Sequence, residues 1–512
     1  MNATGPRLPP RVHGSSRGGQ VTGGTTAVAD PGHVLSDAQR RRVLAVLLVA
    51  IFMSLVGVSI VNVSVPSIQS GLGATDSDVQ WVLSGYALTF GVVLVAAGRA
   101  GDLLGRGGVF MIGVATFTLA SVAAGLAPDA TWLNIARFVQ GVGSGLINPQ
   151  GIGMIQQYFR GDERGRAFGL FGSTVGVAVG IGPVIGGLLI GAGGPEIGWR
   201  LTFLINLPAG LLCLVLAFLW FPRPLLHRPT GTTRAEGVWR SLDPVGSLLL
   251  GLAVLATMLP FVEGGSSPWF WLTLPAGLVL GWGWVRWERH HRDRGRSPMV
   301  DLQIFTIRSF TRGSIIALLY FLGMTSIWVL VALYFQVGTG RSALQTALVG
   351  VPAALTAAVA SGWAGRRVAL HGHRVVIAGL VLALLGVLTS IVVVQLRAGG
   401  HLSEWWLVAS LVLVGAAQGS VISPNQTLAL AEVPLEYAGS SGAVMQTGQR
   451  IGTSIGIAVI TSAAFAVLGA SGSWTTAMSA ALGLVAVVVL VALAFAVGDL
   501  RGRRPETGPR AS

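Results

Sequence analysis

The sequence predicts an all-helical polytopic membrane protein, with two six-helix halves and two extra helices, on three observations. Fourteen apolar stretches have the length of a membrane crossing, which takes roughly 20 residues of helix. Only 11% of the 512 residues are charged and 52% are hydrophobic, whereas a soluble domain carries roughly 25% charged residues. Short motifs also recur in the same order in the two parts of the chain.

Taken in order, residues 1–42 are rich in Gly, Pro, Thr and Arg and lack hydrophobic periodicity, so a disordered tail is expected. Arg40, Arg41 and Arg42 abut the first apolar run, as at the cytoplasmic end of a membrane helix. The run lies too far from the terminus, and is too long, for a cleaved signal peptide. Apolar segments follow at 43–65, 79–100, 108–127, 131–157, 167–190, 202–221, 245–262, 268–287, 312–336, 344–364, 374–395, 404–426, 438–468 and 474–497.

An even number puts both termini on one side, and the loops agree. Arg160, Arg164, Arg166, Arg223, Arg228, Arg234, Arg240, a cluster from Arg286 to Arg312, Arg366, Arg367 and Arg374 fall on that side. The other side receives Arg200, Arg341 and Arg397. The asymmetry predicts a multi-pass protein of the cell membrane with cytoplasmic tails. Trp199, Trp269, Trp271, Trp405, Trp406 and Trp474 then sit near the outer ends of segments, as an interfacial belt.

The net charge of +14 is carried by arginine without a single lysine. Its placement follows membrane topology, and no nucleic-acid motif accompanies it, so no nucleic-acid partner is expected. Without lysine there is no Walker A loop and no Schiff-base catalysis. The one cysteine, Cys213, lies in an apolar segment, which excludes an internal disulfide and a cysteine metal cluster. His290, His291, His371 and His373 sit in arginine-rich loops without partners at ligand spacing, so neither metal nor cofactor is expected. No acid, base and nucleophile cluster in the interior, so the chain reads as a non-enzyme.

The repeats define the halves. GRAGD at Gly98–Asp102 echoes GWAGR at Gly362–Arg366, GLINPQ ending at Gln150 echoes SVISPNQ ending at Gln426, and Gly176/Gly180 echo Gly452/Gly456. The offsets are 264, 275 (Pro149 to Pro424) and 276 residues. They pair segments two, four and five with ten, twelve and thirteen and leave seven and eight unpaired. The expected units are therefore 43–221, 222–311 with two extra helices and cytoplasmic loops, 312–497, and a tail at 498–512. Paired six-helix halves with a site between them are a transporter design.

Segment five carries the densest pattern, GVAVGIGPVIGG at Gly176–Gly187. Gly172, Gly176 and Gly180 share one face, and Gly182 and Gly186 form a second pair, so neighbouring backbones can approach closely. Pro183 removes a backbone N–H and favours bending.

Together these stretches resemble the major facilitator superfamily, and within it the fourteen-helix drug:proton antiporters of the EmrB/QacA type. GRAGDLLGR at Gly98–Arg106 looks like the superfamily's cytoplasmic loop signature, and LNIARFVQGVGSG at Leu133–Gly145 looks like its fourth-helix signature. GVAVGIGPVIGG looks like the antiporter signature of helix five. SIVNVSVP at Ser59–Pro66 and WRLTFLINLPAG at Trp199–Gly210 look like family stretches. The resemblance implies a major facilitator fold exporting small amphipathic drugs or antibiotics, with protons as the coupling partner; a monomer is expected.

It also implies residue roles. Gly98, Asp102 and Arg106 would form a conformational gate. Gly176, Gly180, Gly182, Pro183, Gly186 and Gly187 would form the antiporter helix. Arg137 and Gln140, three residues apart, would serve coupling or a charged substrate, since an arginine in a bilayer costs at least about 2.5–3.5 kcal/mol without a partner or water. One position departs from the pattern: the family's first-helix aspartate falls at Gly57. The acids lie at helix ends, in loops or in tails, which leaves Glu263, Asp102 and Glu432 as marginal proton carriers. A proton-independent facilitator or an importer of a small metabolite is the alternative. The interior carries amides instead, and Asn62, Gln336, Gln418, Asn425, Gln446, Gln449 and Arg450, with Trp81, Tyr86 and Trp328 as aromatic walls, are the candidates for a polar substrate cavity. Interhelical hydrogen bonding is the competing role for any one of these amides.

Overall fold

The computed structural model describes residues 35–226, 242–263, 267–296 and 298–502. Residues 1–34 and 503–512 of the two expected tails, and Arg228, Arg234 and Arg240, lie outside the described residues.

The first half comprises α1 (Asp37–Leu72), α2 (Asp76–Leu104), α3 (Arg106–Gly125), α4 (Ala130–Tyr158), α5 (Gly161–Leu204) and α6 (Asn206–Trp220). Two extra helices follow, α7 (Pro244–Glu263) and α8 (Thr273–Asp293). The second half comprises α9 (Arg308–Met324) continued by α10 (Ser326–Leu333), then α11 (Ala343–His371), α12 (His373–Ala398), α13 (Leu407–Ala429), α14 (Ala438–Ser471) and α15 (Trp474–Gly502). Helices thus occupy all fourteen apolar segments. Among the described residues, twelve spans are long and apolar enough to cross a membrane. The other two segments correspond to α4, diluted by Arg137 and its amides, and α8, diluted by its charged end.

Local sequence sets the ends. Ser36, Thr75 and Ser342 cap α1, α2 and α11, each in a reciprocal capping box with the residue three positions on. Helix α1 starts at Asp37, so residues 37–42 are helical rather than part of a disordered tail. Helix α5 runs through the expected loop before segment six, and its non-helical residue is Gly194 (φ 68°), not Pro183. That extension buries Trp199 completely, edge-on to Phe203. Trp199 is therefore a core residue, whereas Trp269, Trp271, Trp405 and Trp406 are exposed.

The packing obeys the repeat. In the first half α1 packs on α5 and α6, and α4 packs on α2 and α3. In the second, α9 packs on α14 and α15, and α13 packs on α11 and α12. Across the interface, α5 meets α11 and α13, while α14 meets α2 and α4. Swapping the halves maps each of these pairs onto another. One apolar core, around Phe110, Phe117 and Phe168, reaches across the seam to Phe310, Ala443 and Met445, and another, around Tyr334, Leu411 and Val485, lies within the second half. Exposed side chains such as Leu119, Leu188, Val359 and Leu370 lie on the outside, where lipid tails are their natural solvent.

The extra helices have a definite position. Helix α7 packs on both α2 and α14, with Leu88, Val254 and Met258 buried together and Ile451 against them. It covers one seam between the halves, and α8 packs on α7.

Candidate functional site

The contacts joining the halves concentrate at the face where both described chain ends lie, here the tail face. Asp102, at the end of α2, accepts hydrogen bonds from the backbone N–H of Gly439 and of Ser440, both at 2.9 Å. These are the first N–H groups of α14, which have no partner within their own helix and carry the positive end of its dipole. Arg106 bonds the same carboxylate at 2.8 Å, and donates to Leu435 O and to Gln157 Oε1, both at 2.7 Å. Gln156 adds a bond to Ala438 O at 3.0 Å.

Gly98 makes this approach possible, and Gly101 lets α4 pack close behind it in the same half. A Cβ on Gly98 would lie 2.6 Å from Gly439 O, and one on Gly101 would lie 1.8 Å from Gln150 Oε1. The equivalent place in the second half has no acid. Gly365 packs against the backbone of Gly165 and Gly169, but the residue matching Asp102 is the exposed Arg366. The charged latch is thus one-sided.

Helix α5 uses its two glycine faces differently. Gly172, Gly176 and Gly180 abut Ser361, Ala358 and Ala354 of α11, in the other half. Gly182 and Gly186 abut Ser59 and Ile60 of α1, in the same half. A Cβ on Gly187 would meet nothing within 4 Å, so close packing does not explain that glycine. Ser173 and Ser361 add bonds between α5 and α11, to Ala358 O at 2.6 Å and Gly169 O at 3.0 Å. The sequence echo of Gly176/Gly180 at Gly452/Gly456 is not an echo of contacts. Gly452 and Gly456 meet Leu318 and Leu322 of α9, so they act like Gly182 and Gly186.

Further along the bundle, Arg137 is 1% exposed. It does not snorkel to a surface. Its Nε donates to Val82 O at 2.8 Å, its Nη1 donates to Gln140 Oε1 at 2.5 Å, and Gln140 donates on to Ser121 at 2.7 Å. The guanidinium lies 4.4 Å from the Tyr86 ring centroid. The Tyr86 hydroxyl shares a 2.5 Å hydrogen bond with Ser144, which shares another of 2.5 Å with Ser54. The structure therefore joins Arg137, Gln140 and Tyr86 into one polar cluster linking α1, α2, α3 and α4. Ser54 and Ser144 were missing from the sequence-based site. Small hydroxyl residues in membrane helices give little signal until a partner is seen.

The remaining candidates are scattered. Asn425 is buried and donates to Gly313 O at 2.8 Å, a tie between α9 and α13 rather than a cavity wall. Asn62 and Gln336 are exposed, Gln446 is buried, and Trp81, Trp328, Gln418, Gln449 and Arg450 are half-buried. Gln418 borders a crevice at the α5–α11–α13 junction with Gly172, Gly176 and Ser361. Its free volume of about 10 Å³ matches a single water, so a drug-sized ligand does not fit there. Glu263 is 3% exposed, and Ser84 donates to it at 3.1 Å. At Gly57 an added Cβ would lie 3.1 Å from the Phe117 ring and 3.7 Å from the Asn206 amide, so the phenyl group crowds the space a first-helix acid would need.

The family described as the Major Facilitator Superfamily matches residues 47–457. The chain is 35% identical over 446 residues to the "Probable actinorhodin transporter" of Streptomyces coelicolor, covering 84% of this chain and 74% of that one. It is 30% identical over 430 residues to the "Multidrug resistance protein Stp" of Mycobacterium tuberculosis, covering 82% and 75%. Among solved structures, the proton:xylose symporter XylE superposes with a TM-score of 0.63 at 14% identity, covering 91% of this chain and 96% of that one. That likeness concerns the fold.

Proposed function

Because the chain belongs to the major facilitator superfamily, we propose that it exports small amphipathic organic compounds across the cytoplasmic membrane by alternating access, in exchange for protons. The tail face is the cytoplasmic one in this reading, as the arginine-rich loops suggest. The observation that carries it is the seam itself. The halves meet at the tail face through a carboxylate on a helix N-terminus and through glycine-lined backbone contacts, beside apolar side chains of both halves such as Ile152, Ala443 and Met445. Separation there, with closure at the opposite face, would carry a solute across. Two relatives bear the names of an actinorhodin transporter and a multidrug resistance protein, which supports a drug or antibiotic as substrate.

Glu263, Asp102 and Glu432 remain the proposed proton carriers. Glu432 accepts a bond from Ser309 at 2.8 Å, and Asp102 is tied to the latch, so protonation of either would loosen a contact. The second reading, a proton-independent facilitator, is favoured by one observation, the glycine and phenyl ring at the first-helix acid position. The test is dye accumulation in a pump-deleted host with and without the chain, repeated with the pH gradient collapsed. Lower accumulation that depends on the gradient supports exchange. Lower accumulation that ignores it selects the facilitator, and unchanged accumulation removes export.

A further inference from the structure

We propose that the substrates of this transporter are organic anions with a planar aromatic body, bound where Arg450 faces the Tyr86–Phe90 pair; the proposal rests on the export reading. Two arginines from opposite halves flank this pair. Arg137 on α4 stands over Tyr86, and Arg450 on α14 stands over Phe90, each 4.4 Å from the ring centroid. The two rings are stacked with centroids 6.1 Å apart. The order Arg137, Tyr86, Phe90, Arg450 crosses from one half to the other.

The two cations differ in what satisfies them. Arg137 is closed off, with its donors on Val82 O and Gln140. Arg450 keeps some accessible surface and, among the described residues, has neither a hydrogen bond nor a carboxylate within 4 Å. The sequence offers no acid in the middle of any membrane segment to neutralise either. The acids at the membrane margins are engaged elsewhere: Asp102 on α14, Glu263 on Ser84, Glu432 on Ser309. Two positive groups and no internal negative one make a site that a cation is repelled from and an anion completes, because Coulomb interactions are strong where water is scarce. A guanidinium is suited to a carboxylate, sulfonate or phenolate, and it also stacks on flat rings. Phe90 is buried beneath Arg450, so the partly open face of the stack is the flat guanidinium itself, which suits an aromatic acid better than an aliphatic one.

The site also bridges the halves. An anion held between α14 and α2 would contact both sides of the seam, so its arrival can be felt by the contact that must open.

The test uses two dyes with the same tricyclic core and opposite charge, fluorescein and rhodamine 123. Full-length protein in proteoliposomes is loaded with either dye, and release is followed against protein-free vesicles. The expected result is release of fluorescein but not of rhodamine 123, with R450Q raising the half-saturating fluorescein concentration at least tenfold. R450K keeps the charge and is expected to retain most of the transport, which separates loss of charge from loss of fold. Release of rhodamine 123 alone, or an equal effect of R450Q on both dyes, overturns the anion assignment and leaves export standing. Release of neither dye overturns the export reading and this assignment together.

Discussion

Asp102 on α2 holds the backbone N–H groups of Gly439 and Ser440 at the start of α14, at 2.9 Å each, and so ties one half of the protein to the other. The carboxylate sets its negative charge against the positive end of that helix. Its partner Arg106 fixes it from the same side of the seam.

Replacing Asp102 with Asn keeps the shape and removes the charge. A hydrogen bond to a charged group is worth about 1.5–3 kcal/mol, and about 1.4 kcal/mol corresponds to a tenfold change in rate. Transport by D102N is expected to fall at least about tenfold at unchanged membrane expression. Initial rates normalised to monodisperse purified protein check this. A parallel loss of protein would instead make the contact a folding requirement.

The glycines of α5 should separate sharply on substitution. A Cβ at Gly180 would lie 2.4 Å from Ala354 Cβ across the inter-half contact, whereas at Gly187 it meets open space. Overpacking of this kind costs about 1–3 kcal/mol. G180V is expected to abolish dye efflux in cells, and G187A to leave it within about twofold of the parent, since surface changes seldom exceed about 0.5 kcal/mol. Equal behaviour of the two would remove the close-packing argument.

Arg137 has a structural and a functional side. R137A leaves Val82 O and the Gln140 amide without their donor, at about 1–3 kcal/mol for each unsatisfied group. The melting temperature of purified R137A is expected to fall measurably, whereas R137K, which preserves the charge, stays closer to the parent. If the charge acts in transport, R137K also retains more efflux than R137Q at matched folded protein.

A pH effect on stability is expected from the extra helices. Glu288 lies just beyond the apolar segment 268–287, packed with Asp243 where α7 and α8 meet. Trp284 donates to it at 2.8 Å and the Met299 N–H at 3.0 Å. Burial first, and the Asp243 charge second, push its carboxyl up to about 8 from an ordinary 4.5. A carboxyl raised on folding contributes stability that is present below its unfolded value and is lost as pH rises through its folded value. The melting temperature of detergent-solubilised protein should therefore decline between about pH 5 and 8, and E288Q should flatten that decline. An identical profile in E288Q would assign the pH response to other groups.

The fold was legible in the sequence because bilayer crossing imposes a length and a polarity that composition alone reveals. The pairing of Gln150 with Gln426, each beyond a proline within its helix, already identified α4 with α13. The site was less legible. Asp102 and Arg106 lie in one short motif, but their partners Ser440 and Leu435 are more than three hundred residues away. Asn425 and Gln418 look alike in sequence and share one face of α13, yet one ties two helices and the other borders a crevice, because two turns along that face the neighbour changes from α5 and α11 to α9. The Gly452/Gly456 echo misled for the same reason: spacing marks a glycine face but not the helix it faces. Trp199 reads as interfacial until the continuation of α5 past Gly194 buries it.

The central claim is that the two halves move apart at the tail face during transport. Cys213 is the only cysteine and is fully buried, so spin labels can be placed specifically at D162C on α5 and R367C on α11, both exposed at that face. Pulsed electron–electron distance measurement on the reconstituted protein should give one short distance in the latched state. A second, longer population should grow when D102N is introduced. A single unchanged distance in both proteins would contradict the account.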